Sequence, residues 1–215
     1  MDGTGTLFAP LIQAAPAGLE VISLPLIQKS DAGYEDQARH AADSIGDEPV
    51  VLVAESYSGM VAYSMLKNGC PNIHHVVFAA SFIACPSRLA VLAKYLPVAL
   101  LKSSVVPKYL LGKFLFSKFS TPELVSLFDK SLSGVGNNIL KTRLSQIATL
   151  PIPSMPISVP CSYIRPKGDI LVSKGAIEHF QRLCPKLAVY EVDGTHFVLQ
   201  TSPHQCWRVI QSAIV

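Results

Sequence analysis

A chain of 215 residues with 49% hydrophobic and 15% charged residues has enough material for one domain with a substantial core, and its composition is not that of a disordered polymer. A formal net charge of +3, without a dense basic stripe, gives no ground for nucleic-acid binding. Five scattered cysteines, Cys70, Cys85, Cys161, Cys184 and Cys206, show neither paired metal-ligand spacing nor a disulfide framework, so no metal and no cofactor is expected. No basic region followed by an apolar core opens the chain and no apolar run reaches transmembrane length, which points to the cytoplasm.

In chain order, residues 1–6, Met-Asp-Gly-Thr-Gly-Thr, form a Gly-rich loop that leads into a helix through Leu7, Leu11 and Ile12. Residues 19–24 read as a strand closed by Pro25, and residues 34–45 as a helix with Ala38, Ala41, Ala42 and Ile45 on one side. Val50 to Val53 are an unbroken run of the kind a doubly covered parallel strand shows, and Met60, Val61, Ser64 and Met65 then fall at helical spacing. Asn68-Gly69 and Pro71 end that helix, and residues 73–80 read as the next buried strand. The rhythm then breaks. Between about residues 86 and 156 no strand pattern occurs, and helices are expected over 89–101, 109–116, 122–132 and 138–150. Strands at 160–165 and 187–192, each followed by a helix (173–183 and 203–214), resume the alternation, which argues for a mostly parallel α/β sheet covered by helices on both faces.

The sharpest local signal is the corner at Ser56, where a strand runs straight into a helix. A residue there is forced into a strained conformation, and its neighbours two before and two after, Ala54 and Ser58, must be small. Serine is also a favoured helix cap, so the corner by itself leaves capping and catalysis open. An acyl-transfer serine further needs a base, and an acid that fixes the base's tautomer. Such groups collect at the carboxyl ends of strands. Asp169 and His196 each lie just past an expected strand end; alone, Asp169 reads equally well as a turn residue, and His204, which opens the last helix, is a rival base.

Taken together, the small-x-Ser-x-small corner, the Gly-Asp dipeptide before a helix, the Asp-Gly-x-His-Phe stretch before the last helix, and the order Ser, Asp, His resemble the α/β-hydrolase family along nearly the whole chain. The resemblance implies a serine nucleophile at Ser56, a base at His196, an acid at Asp169, and an oxyanion donor in the backbone N–H of Tyr57. The opening Asp-Gly-Thr-Gly is similar to the family's other oxyanion loop, which places that donor at about Met1 or Asp2. The strands that precede this loop in the family have no counterpart here, so either the sequence begins at an internal methionine or the sheet is reduced and lacks its first strands. Residues 86–156 stand where the family carries a helical cap, leaving 1–85 and 157–215 as the core.

No Asp or Glu occurs from Ser56 through Pro122, while Lys67, Arg88, Lys94, Lys102, Lys108, Lys113 and Lys118 are basic. Such side chains can cover apolar surface on a solvated cap, or greet an anionic carrier or membrane surface. The implied activity is hydrolysis of carboxylic esters or thioesters of an apolar acyl group, a small-molecule acyl substrate. An acyltransferase using the same acyl-enzyme, and a non-catalytic ligand-binding homologue, are the alternatives.

Overall fold

The computed structural model describes residues 2–93, 95 and 107–214. After a 3₁₀ turn at Thr6–Phe8, the elements are α1 (Ala9–Gln13), α2 (Tyr34–Ile45), β1 (Val50–Glu55), α3 (Ser58–Lys67) and β2 (Ile73–Ala79). Among the described residues, α4 (Arg88–Ala93), α5 (Lys108–Phe116), α6 (Pro122–Ser133) and α7 (Asn137–Ala148) follow. The chain then completes β3 (Cys161–Gly168), α8 (Ala176–Leu183), β4 (Ala188–Thr195), α9 (Val198–Thr201) and α10 (Pro203–Gln211). Of the helix expected over 89–101, residues 89–93 belong to α4 and residue 95 lies in a turn; residue 94 and residues 96–101 lie outside the described residues.

Among the described residues the strands form one sheet in the order β1-β2-β3-β4, and all three pairings are parallel. The period of two along each strand sorts its side chains onto two faces. Val76 and Phe78 of β2 and Tyr163 of β3 join a core with Ala38 and Ala41 of α2, Val61 and Met65 of α3, and Phe180 of α8. The alternate residues Val77, Ala79 and Ile164, with Val192 of β4, face Leu11 of α1, Leu199 of α9, and Trp207 and Ile210 of α10. The Trp207 indole N–H donates to the Leu11 carbonyl at 2.7 Å, so burial of the ring leaves no polar atom unpaired. Helices therefore cover both faces, as the alternation of elements implies.

Two expectations need correction. Residues 19–24 are not a strand: no ladder joins them to β1. Leu19 and Val21 pack on one core and Leu24 on the other, so the segment keeps a strand's alternation of side chains without a sheet partner. Val50 to Val53, expected to be covered on both faces, are half-buried because β1 lies at the edge of the described sheet.

The helices between β2 and β3 build a third cluster, in which Phe116, Phe128, Leu132, Val135 and Leu140 enclose Leu7. α6 starts cleanly because Pro122 occupies its first turn and the Thr121 hydroxyl accepts the Leu124 N–H at 3.3 Å. Among the described residues no helix is long and apolar enough to cross a membrane.

Candidate active site

β1 passes into α3 within three residues. Ser56 takes the turn with φ of +56°, the left-handed region that non-glycine residues occupy only when their surroundings impose it. Two bonds hold the corner: the Ser56 N–H donates to the Ala79 carbonyl of β2 at 3.1 Å, and the Ser56 carbonyl accepts from the Gly59 N–H at 3.0 Å. Gly59, one residue beyond the expected small position Ser58, is closely packed. A Cβ there would sit 2.8 Å from Ser81 Cβ and 2.9 Å from the Phe82 carbonyl oxygen. Ala54 is also constrained, since its carbonyl accepts the Ser81 hydroxyl at 2.6 Å.

The other two residues are brought together by sheet register. Gly168 of β3 pairs with Thr195 of β4, so the next residue on each strand, Asp169 and His196, emerges beside its neighbour. The strand ends approach closely, and a Cβ on Gly168 would lie 2.9 Å from the Gly194 carbonyl. Asp169 Oδ2 lies 3.0 Å from His196 Nδ1, and His196 Nε2 lies 2.8 Å from Ser56 Oγ. The carboxylate beside Nδ1 places the ring proton there and turns the Nε2 lone pair to the serine hydroxyl. Asp169 Oδ1 accepts the backbone N–H groups of Leu171 and Val172 at 2.9 and 3.0 Å. The aspartate is thus both a turn residue and the partner of the histidine. Both the Asp169 and His196 side chains are 8% exposed, which shields their pairing from solvent. His204, the rival base, is exposed on α10.

To meet Ser56 from β4, the segment carrying His196 must cross the carboxyl ends of β2 and β3. Glu55 holds it there. One carboxylate oxygen accepts the Leu199 N–H at 3.3 Å and the other the Gln200 side-chain amide at 2.9 Å. Burial raises the Glu55 pKa to about 7, against the opposing pull of the Gln200 bond, the His196 charge and the Leu199 N–H. The sequence marks Glu55 only as the residue before the serine. Its burial depends on α9 arriving from 144 residues away, and no local pattern signals that.

Tyr57 opens α3, where the first N–H groups of a helix have no partner within the helix. Its ring stacks on Tyr34 at 4.6 Å, its hydroxyl donates to Gln146 Oε1 at 2.7 Å, and burial pushes its pKa up to about 12. Of the two positions expected on the opening loop, Met1 lies outside the described residues. Asp2 is buried, and its carboxylate accepts the Thr4 N–H and hydroxyl at 3.0 and 2.8 Å. On the other side, Phe197 packs its ring 5.5 Å from His196, 5.3 Å from Phe116 and 5.6 Å from Phe128. An aromatic wall contributed by α5 and α6 therefore stands beside the histidine. A cavity of about 220 Å³ lies behind Asp169, lined by Tyr163, Arg165, Ser173 and Glu191 among others; an open cleft of about 650 Å³ runs between residues 28–31 and 136–139. Neither is lined by Ser56 or His196.

No protein-family model and no curated protein sequence matches the chain. Solved structures do. A thermophilic esterase from Thermogutta terrifontis is 14% identical, with a TM-score of 0.78 over 98% of this chain and 85% of its own. An enol-lactonase from Burkholderia xenovorans is 12% identical, with a TM-score of 0.79 over 99% of this chain and 87% of its own. An E-2-(acetamidomethylene)succinate hydrolase is 16% identical, with a TM-score of 0.78 over the full length of this chain and 88% of its own. At such identities the likeness establishes a shared backbone architecture.

Proposed function

We propose that this chain, which has the α/β-hydrolase fold, is a serine hydrolase that cleaves carboxylic esters or thioesters of an apolar acyl group. The observation that carries the reading is the unbroken line from Asp169 through His196 to Ser56, ending on a serine held at positive φ. His196 Nε2 takes the Ser56 proton as Oγ attacks the acyl carbonyl, and Asp169 holds the imidazolium that forms. The same proton passes to the departing alkoxide or thiolate as the tetrahedral intermediate collapses to a Ser56 acyl ester. Water, deprotonated by His196, then releases the acid and restores Ser56. In this reading the backbone N–H of Tyr57 and one at Met1 or Asp2 donate to the oxyanion, and one such donor is worth about 3 to 4 kcal/mol in the transition state.

The aromatic wall of Phe197, Phe116 and Phe128 supports an apolar acyl group, and in this reading residues 86–156 act as the cap over it. Structural likeness to an esterase and an enol-lactonase is compatible with this chemistry. A cytoplasmic location remains part of the reading. Its test is hydrolysis of p-nitrophenyl esters from acetate to palmitate by the wild type and Ser56→Ala. Turnover lost with the serine and rising with chain length is expected; turnover that survives Ser56→Ala overturns it. Product partitioning with an added alcohol acceptor distinguishes a hydrolase from an acyltransferase.

A further inference from the structure

One guanidinium ties the opening loop and the segment at Ile27 to Tyr57, the residue after Ser56. Arg143 of α7 is 2% exposed, although arginine is rarely buried so fully. Its Nη1 donates to the Asp2 carbonyl at 2.7 Å and its Nη2 to the Ile27 carbonyl at 2.9 Å, while its Cζ stands 5.7 Å from the centre of the Tyr57 ring. Gly3 is shaped by this arrangement: its φ is +67°, and a Cβ there would lie 2.9 Å from Arg143 Nη1 and 2.7 Å from Leu26 Cβ. The exposed Gln28 amide adds bonds to the Asp2 and Gly3 carbonyls at 3.2 and 3.0 Å, and the Leu26 N–H donates to the Gly3 carbonyl at 2.8 Å. One helical turn along α7, Gln146 receives the Tyr57 hydroxyl and donates to the Ala32 carbonyl at 3.0 Å.

These bonds converge on two residues, Asp2 and Tyr57, and fix the direction of their main chain. With its carboxylate held by Thr4 and its carbonyl by Arg143, Asp2 has little freedom left to turn its peptide groups. Tyr57 is held through its ring and hydroxyl, leaving its N–H aimed by the start of α3. We infer that Arg143 is the positioning residue of the oxyanion hole, the side chain through which α7 sets the opening loop and the Tyr57 N–H against the same reacting oxygen. The inference rests on the serine-hydrolase reading. Arg143 acts through the backbone it holds and does not touch substrate. Misplacement of such donors by about 1 Å is enough to cost on the order of 100-fold in rate.

The test compares wild type, Arg143→Lys and Arg143→Met, with folding checked by thermal melting. Three quantities are read: kcat and KM on a p-nitrophenyl ester, the inhibition constant of an alkyl trifluoromethyl ketone of the same chain length, and that of the corresponding alcohol. The ketone adds to a reactive serine and places an oxyanion in the hole, whereas the alcohol only fills the acyl site. For Arg143→Met, kcat should fall by about 100- to 1000-fold with KM nearly unchanged, and the ketone should weaken in parallel while the alcohol does not. Arg143→Lys, which can serve one carbonyl but not both, should lie between. A loss confined to thermal stability, or equal weakening of ketone and alcohol, overturns the positioning role. If Arg143→Met does not fold, Arg143→Lys decides by the same two criteria. A wild type inert to both ester and ketone overturns the hydrolase reading and this inference with it.

Discussion

Glu55 offers a prediction whose size can be worked out directly. Its carboxyl is buried between β1 and α9, and burial raises its pKa from 4.5 to about 7. Below about pH 4.5 the group is protonated in both folded and unfolded chains, and folding carries no penalty from it. Between about pH 4.5 and 7 the unfolded chain has released the proton while the folded chain retains it, so stability falls as pH rises by about 1.4 kcal/mol per pH unit. Above about pH 7 the loss levels off, having reached about 3 kcal/mol. Glu55→Gln removes the titration but keeps a side chain that can accept the Leu199 N–H. It also offers an amide donor to Gln200 Oε1, which is buried with no partner among the described residues. The stability of Glu55→Gln minus that of wild type should therefore climb by about 3 kcal/mol from pH 4.5 to 8, or roughly 6 to 12 °C in melting temperature for a chain of this size. Urea titrations of both proteins across that range measure it. Parallel stability curves would refute the argument, because they would mean that the fold carries an ionised Glu55 at no cost.

Two further outcomes follow from the geometry. Gly59→Ala should lower stability by about 1 to 3 kcal/mol, since the new Cβ meets Ser81 Cβ and the Phe82 backbone oxygen below 3 Å, whereas Gly175→Ala, with nothing nearer than 3.7 Å, should stay within about 0.5 kcal/mol; equal urea midpoints would remove the close-approach argument. Tyr109, Leu110 and Phe114 of α5 are exposed, with Lys113 by the Tyr109 ring and Lys108 and Lys118 in exposed pairs with Asp129 and Asp193, so at low salt the protein should sediment with phosphatidylglycerol vesicles and less with phosphatidylcholine ones; binding indifferent to lipid charge would discard an anionic surface as the partner of α5.

How much was legible in the sequence depended on how local the determinant was. The corner at Ser56 announced itself because a β-branched run stops and helical spacing begins within a few residues. Asp169 and His196 were legible because each directly follows a strand, although their adjacency comes from the pairing of Gly168 with Thr195. The strand expected over 19–24 had the right side-chain alternation, but a strand exists only through a ladder with a neighbour, and alternation carries no information about one. Gly59 is pressed as well, because Ser81 and Phe82, which follow β2, lie against that side of α3, and the sequence gives no sign of that contact. Arg143 gave no signal at all. In sequence it is a basic residue on a polar helix, and its hydrogen bond to Asp2 spans 141 residues.

The central claim is that Ser56 is an activated nucleophile, and covalent capture tests it most directly. Wild type, Ser56→Ala and His196→Ala would each be treated with a fluorophosphonate probe, weighed intact, and the labelled peptide sequenced. The account predicts a single adduct on Ser56 in the wild type, none in Ser56→Ala, and labelling slowed by several orders of magnitude in His196→Ala. Folded wild-type protein that takes up no probe, or takes it up equally without His196, would contradict it.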